Sequence, residues 1–141
     1  MEIVNGERLV LGTCYYPEHW EESLWRDDLK RMLENGIEVI RIAEFAWSKI
    51  ERYEGVFNYD FFDRFLDVAA DMGMKVIFCT PTATPPAWLT EKYPEVLNAN
   101  MDGVLYRHGG RRHYNYNSPK YQELTRITKE IQDGDFFQNQ E

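Results

Sequence analysis

Residues 37–48 read IEVIRIAEFAWS, and no other stretch narrows the possible folds as much. Ile37, Val39, Ile40 and Ile42 make a short β-branched apolar run that follows a helix-like segment. Such a run predicts a strand buried on both faces, the kind found in parallel sheets. Arg41 sits inside the run and Glu44 just past its end. A guanidinium buried in a strand is costly unless it is paired, so the pattern predicts a compensating partner. Charged and aromatic groups at the exit of a buried parallel strand are where α/β folds place their chemistry.

The segments on either side repeat this organisation. Residues 9–13 form a short apolar run ending near Gly12, a predicted first strand, and CYYPEHW follows as a loop. Residues 21–35 predict a helix, with Leu24, Trp25, Leu29, Met32 and Leu33 at helical spacing and Asn35-Gly36 as its stop. The second strand covers residues 37–43. FAWSKIERYEGVFNYD then reads as a loop turning at Gly55, and Asp60 with Asp63 predicts the N-cap of a second helix. That helix carries Phe61, Phe62, Phe65, Leu66, Ala69 and Met72 and stops at Gly73. Residues 75–80 predict a third strand.

Strand, helix, strand, helix, strand implies βαβ units and a parallel sheet. Beyond it, TPTATPPAW is proline-rich, and residues 94–118 read as a long polar loop. Ser118-Pro119 starts a third helix whose apolar face is Tyr121, Leu124, Ile127 and Ile131. QDGDFFQNQE closes the chain without periodicity. No GxGxxG follows the first strand, which disfavours an open dinucleotide-binding sheet. The long loops all follow strands. That asymmetry favours an α/β chain holding the first three βα units of a partial (β/α)8 barrel, a fold that typically needs ~250 residues when complete.

Composition excludes several function classes. A net charge of −8 over 141 residues argues against nucleic acid as a partner. No apolar run approaches the ~20 residues of a membrane span, and the first residues lack the pattern of a signal peptide. A cytoplasmic location is therefore the expectation. Cys14 and Cys79 show no metal or disulfide spacing, and neither do His19, His108 and His113 show metal spacing. Aromatics make up 15% of the chain, and Trp and Tyr faces suit sugar rings as well as cores.

GTCYYPEHW, VIRIAEFAWSKIE, TPTATPPAWLTEKYPE and GGRRHYNYNSP, in this order and spacing, resemble the N-terminal part of glycoside hydrolase family 42, the β-galactosidases. The resemblance covers roughly residues 9–130. It implies a (β/α)8 catalytic barrel followed by further domains, retaining hydrolysis of terminal β-D-galactosides, and a homotrimer in many full-length members. It places the general acid, a glutamate preceded by asparagine, after the fourth strand and the nucleophilic glutamate after the seventh, both beyond Glu141. Residues 1–141 are thus expected to be an N-terminal fragment of the catalytic domain, inactive by itself. Arg41, at the end of the second strand, and Arg111, in the loop after the third, match substrate-binding positions; both would hydrogen-bond around the galactose subsite or hold the catalytic carboxylates. Some members bind a structural zinc through a cysteine just after RRHY. Asn115 stands there in this chain, so neither metal nor cofactor is expected. The tail after the third helix departs from the family and reads as a truncated or frameshifted end.

Other assignments stay open on sequence alone. Glu18 and Glu44 are candidates for a catalytic pair or for residues that orient neighbours, Arg41 among them. Trp47 and Trp88 suit sugar stacking or packing against helices. His108 and His113, in HGGRRH, suit loop or supporting roles. The alternative to an enzyme segment is a non-catalytic carbohydrate-binding or interaction module built from the same βα units.

Overall fold

A computed structural model describes residues 3–4, 7–110 and 112–138. They fall into two compact units. The first takes in the chain up to Ala43 and returns for Tyr59–Cys79; the second is Glu44–Asn58 and the chain from Thr80 onward.

The first unit opens with a two-stranded antiparallel pair, β1 (Ile3–Val4) and β2 (Glu7–Arg8), absent from the sequence reading. The strands β3 (Leu11–Cys14), β4 (Ile37–Ile42) and β7 (Lys75–Phe78) then form a parallel sheet in the order β3-β4-β7. Each predicted strand is present and ends one or two residues earlier or later than expected. Cys14 pairs with Arg41 and Arg41 with Ile77, so these side chains share one face. Thr13, Ile40 and Val76 share the other. Between β3 and β4 the register skips Glu38, because Leu11 pairs with Ile37 and Gly12 with Val39. A Cβ on Gly12 would meet the Val39 carbonyl oxygen at 3.0 Å, so a side chain here would push the Val39 backbone back by a few tenths of an ångström, and glycine lets the strands approach closely at this bulge.

Two helices cover the Ile40 face. A short 3-10 turn at Glu22–Leu24 leads into α1 (Trp25–Glu34), so the predicted 21–35 helix is α-helical only over its later part. α3 (Asp60–Asp71) starts after Tyr59, and its first residue is Asp60 rather than a capping Asp60. Asp60 and Asp63 instead lie in the first turn, where carboxylates complement the helix dipole. Trp25 and Leu29 of α1 and Phe62, Phe65 and Ala69 of α3 are buried with Ile40 and Ile42. The rings pack edge to face: Trp25 on Phe65 at 5.1 Å and 88°, Phe62 on Phe78 at 5.3 Å and 78°. Such pairs add about 0.5–1.5 kcal/mol beyond the area they bury.

The opposite face is bare. Ile77 is 54% exposed, and Arg41 and Cys14 are exposed as well. The expectation of a strand buried on both faces is thus corrected: Ile40 and Ile42 are fully buried, while Arg41 is exposed and so escapes the desolvation penalty.

The second unit is more structured than its sequence suggested. FAWSKIERYEGVFNYD is not a plain loop. It holds α2 (Trp47–Ile50) and a hairpin of β5 (Glu51–Tyr53) with β6 (Val56–Phe57), turning at Gly55 with φ +77°. Glu51, 2% exposed, organises this hairpin. Its carboxylate accepts the Trp47 indole N–H at 2.6 Å and the Gly55 N–H at 2.7 Å. α4 (Ala87–Lys92) follows TPTATPP. The predicted polar loop 94–118 contains a 3-10 turn at Pro94–Val96 and antiparallel bridges Leu97–Tyr114 and Ala99–Leu105. α5 (Pro119–Gln138) begins where Ser118-Pro119 predicted it. It then runs through most of the tail expected to be irregular, because one glycine costs a helix only about 1 kcal/mol. Arg126–Glu130 and Lys129–Asp133 pairs, four residues apart, support this stretch. Trp47, Leu89, Val96, Tyr114, Tyr121 and Leu124 form the core of this unit. Trp47 is therefore a packing residue. Among the described residues, no helix is long and apolar enough to cross a membrane.

Two expectations follow. The bare sheet face and the unpaired outer edges of β3 and β7 favour pairing between chains. Sedimentation should show concentration-dependent self-association, and Ile77→Glu should weaken it while changing stability by no more than about 0.5 kcal/mol. A sharply melting monomer at high concentration would contradict this. The second concerns Glu51, whose pKa is raised, chiefly by burial, against the opposing hydrogen bonds from Gly55 and Trp47. The folded state therefore holds the proton at pH values where the unfolded chain has released it. That contribution to stability is complete below the unfolded pKa and is lost as pH rises through the folded one. Urea melts should show this decline in the parent chain and a flatter profile in Glu51→Gln. Glu51→Ala, which strands the buried Trp47 indole N–H and releases the Gly55 N–H, should cost about 1–3 kcal/mol.

Candidate functional site

The strand exits hold the residues singled out by the sequence. Arg41 occupies the next-to-last position of β4, on the bare face between Cys14 and Ile77. Its backbone is fixed from the side: the Arg41 carbonyl accepts the Tyr15 N–H at 3.0 Å, and the Ile42 carbonyl accepts the Cys79 N–H at 3.0 Å. Ala43 follows with φ +68° and is fully buried. A non-glycine residue in the left-handed region costs roughly 1–2 kcal/mol, so the surrounding structure imposes this turn.

CYYPEHW also departs from a plain loop, since Pro17–His19 is a 3-10 turn. It is anchored by the Trp25 indole, which donates to the Pro17 carbonyl at 3.3 Å. The Tyr15 hydroxyl donates to Asp28 at 2.8 Å; burial first and that carboxylate second hold its pKa well above the usual phenol range. Both carboxylate oxygens of Glu18 are buried and have no hydrogen-bond partner among the described residues. Buried acceptors of this kind are costly when unmatched, which marks Glu18 as a position awaiting a donor. Glu18 belongs to the first unit and Glu44 to the second.

The second unit carries an open groove of about 830 Å³. Glu44, Phe45, His108, Arg112, Tyr114 and Tyr116 are on its walls, together with His113 and Thr84. Phe45 is tied through its carbonyl, which accepts the Thr84 hydroxyl at 2.9 Å. The 112–114 stretch is held by Asn98, whose amide donates to the Tyr114 carbonyl at 2.7 Å and to the Arg112 carbonyl at 3.2 Å. The Asn98 N–H in turn donates to the His113 carbonyl at 2.8 Å. Arg112 itself has φ +56°. Arg111, the other substrate-binding candidate, lies outside the described residues.

The two groove histidines have assigned tautomers. His113 Nδ1 lies 2.6 Å from the Gly110 carbonyl oxygen, an acceptor only, so Nδ1 carries the hydrogen. Its Nε2 is buried and without a partner among the described residues. The Thr90 hydroxyl donates to the Ala87 carbonyl at 3.1 Å and therefore accepts from His108 Nδ1 at 2.9 Å. The His108 pKa is lowered by partial burial first and by the neighbouring His113 second. Their ring centroids are 5.0 Å apart. The supporting role expected of these histidines is what the hydrogen bonds describe. Among the described residues no three His, Cys, Asp or Glu side chains gather as a metal site would require.

An aromatic cluster backs the groove. Tyr114 stacks on Tyr121 at 5.0 Å and 19°, and the Tyr121 hydroxyl donates to the Thr82 carbonyl at 2.6 Å. Burial, and then the hydrogen bond to Tyr116, pushes the Tyr114 pKa up to about 12. Phe45, Arg112 and Tyr116 were not singled out by the sequence reading. The signal available was RRHYNYN, where a basic run after a glycine pair gives way to tyrosines alternating with asparagines. Trp88 lies away from this groove; its indole donates to the Glu51 carbonyl at 3.0 Å beside Tyr53, Glu54 and Lys92.

Comparison with known proteins places this geometry in a lineage. The family model described as β-galactosidase, glycoside hydrolase family 42, matches residues 14–138. The β-galactosidase BgaA of a Thermus species is 47% identical over 117 residues, covering 83% of this chain and 18% of its own length. The crystal structure of the β-galactosidase from the psychrophilic Marinomonas ef1 superposes with a TM-score of 0.81 at 42% identity, over 85% of this chain and 18% of that one. The polyextremophilic enzyme from the Antarctic haloarchaeon Halorubrum lacusprofundi gives a TM-score of 0.81 at 41% identity, over 85% and 18%. The chain thus spans about 18% of the length of these relatives. A family match running from Cys14 through the third βα unit and into α5 leaves one conclusion: the chain belongs to the β-galactosidases of glycoside hydrolase family 42.

Proposed function

We propose that this chain supplies the opening βα units of a (β/α)8 catalytic barrel in a retaining β-galactosidase acting on terminal β-D-galactosides. The observation that carries the reading is the sheet β3-β4-β7, covered by helices on one face and bare on the other, with Arg41 at the exit of its middle strand. In a closed barrel the bare face is the packed interior and the strand exits are the active-site end. The related β-galactosidases favour this over a stand-alone carbohydrate-binding module. For the whole enzyme a cytoplasmic location is the expectation from the sequence, and a homotrimer is the assembly that many full-length members of the family form.

Arg41 and Arg111 are assigned to substrate binding. A guanidinium presents five N–H donors in a rigid fork, suited to vicinal sugar hydroxyls or to a catalytic carboxylate. Neither arginine can attack an anomeric carbon or protonate a leaving oxygen. Retaining hydrolysis uses two carboxyl groups about 5–5.5 Å apart, one as acid and base and one as nucleophile. Among the described residues the groove of the second unit carries a single carboxylate, Glu44. Glu18 and Glu44 are therefore assigned to orienting neighbours, and the acid and nucleophile to parts of the enzyme that this chain does not span.

The test is turnover of a chromogenic β-galactoside. The 141-residue chain should give none above background. A chain extended to the length of the relatives should be active. In that longer chain, Arg41→Ala and Arg111→Ala should each lower kcat/KM by about 10- to 100-fold, the worth of a hydrogen bond to a charged group, without lowering Tm. Turnover by the short chain that disappears in Glu44→Gln would overturn the assignment and make Glu44 a catalyst.

A further inference from the structure

We infer that Tyr116 is a stacking platform for the pyranose ring of a galactoside, on the wall of the second unit's groove. The inference rests on the galactosidase reading and adds a contact residue to it.

Tyr116 is held and open at once. Its ring meets Tyr114 at 5.1 Å and 75° and Tyr121 at 6.0 Å and 87°. Its hydroxyl is 3.3 Å from that of Tyr114. Its carbonyl accepts the Gln122 side-chain amide at 2.9 Å. Asn115, just before it, accepts the Asn117 N–H at 2.9 Å through Oδ1 and the Ser118 N–H at 3.0 Å through its carbonyl. Backbone and ring are therefore both braced. Yet 60% of the residue faces solvent.

A surface tyrosine with that much exposure ordinarily keeps its rotamer freedom, because little burial rewards fixing it. Here the freedom has already been given up, so a ligand ring meeting it loses less entropy on binding. The core of the unit does not need the ring. Tyr114 and Tyr121, each 4% exposed, stack on one another without it. Phe45, 45% exposed, puts a second apolar surface on the same groove. Glu44, His108 and Arg112 bring an acceptor, an imidazole and a guanidinium to it. Apolar faces with polar groups around them match a sugar, whose rings have C–H faces and hydroxyl edges. Galactose suits such a platform better than its C4 epimer glucose. Its axial O4 puts a hydroxyl on one ring face and brings the C4–H to join the C3–H and C5–H on the other, which enlarges the apolar patch on that face.

The experiment is an NMR titration of the ¹⁵N-labelled chain with methyl β-D-galactoside, methyl β-D-glucoside and a β-galactosyl disaccharide. The amides of Arg112, His113 and Tyr114 should shift saturably with the galactoside and less with the glucoside. Tyr116→Ala should weaken galactoside binding about 3- to 10-fold, the range of an aromatic contact. Tyr116→Phe, which keeps the ring and drops the hydroxyl, should bind as the parent does and shows that any loss in the alanine variant comes from the ring. If only the disaccharide responds to the substitution, the stacked ring is the one next to the terminal galactose, and the platform stands. Equal affinity of parent and Tyr116→Ala for both the methyl galactoside and the disaccharide overturns the inference and leaves the galactosidase reading standing. So does equal loss in the alanine and phenylalanine variants, or equal binding of glucoside and galactoside. Absence of any shift in the parent overturns it too, while the galactosidase reading is decided separately by turnover of the longer chain.

Discussion

Parallel pairing of β4 with both β3 and β7 sets most of what the first unit does. Parallel strands cannot be joined by a tight turn, so each connection has to travel back along the sheet, and a helix is the usual means. The strands follow one another in space as they do in sequence, and right-handed crossovers taken in one direction put every helix on the same side. α1 and α3 accordingly share the Ile40 face, and their aromatic residues have one another as packing partners. A doubly wound sheet would reverse direction once and cover both faces. The single direction of travel is what leaves Arg41 and Ile77 uncovered.

The second unit reaches order by another route. It has a small apolar cluster and long stretches without regular structure, so polar side chains do the tying. Asn98 serves two carbonyls of the 112–114 stretch, and the Asn100 Oδ1 accepts the N–H groups of Asp102 and Val104 at 3.0 and 2.9 Å. Glu51 does the same for its hairpin at a greater desolvation cost, since its acceptor is a carboxylate. A side-chain amide satisfies backbone groups without burying a charge, which suits loops that must stay near solvent.

The legible part of the fold was the part governed by hydrophobic period. β-branched runs at Ile37 and Lys75 and helical spacing from Leu24 and from Phe61 marked every large element of the first unit. What escaped was set by polar contacts between residues far apart in sequence. Nothing local says that Asn98 will bond to Tyr114, or that Glu51 will fold back on Gly55, so both segments read as loops. The cap of α3 was misplaced by one residue because Asp60 is as favourable in a first turn as at an N-cap. Burial of Arg41 was overestimated for a related reason: an apolar strand signals that a face can be buried, not which residues bury it. Family blocks such as GGRRHYNYNSP located the groove segment, but its open aromatic ring could be chosen only once Tyr114 and Tyr121 were seen to pack without it.

Ala43 narrows what this lineage can do at the exit of its middle strand. The position combines a left-handed backbone with complete burial, two demands that select against each other's solutions. Asparagine and aspartate, the side chains that tolerate this backbone best, would carry polar atoms into a site closed to water. Valine or isoleucine would suit the burial and clash with the dihedral. Glycine meets the dihedral but gives up a packed methyl and loosens the unfolded chain. Alanine, and at some loss glycine, are the residues that fit both demands. Change at this strand exit is better tolerated in the residues that follow the turn than at the turn itself.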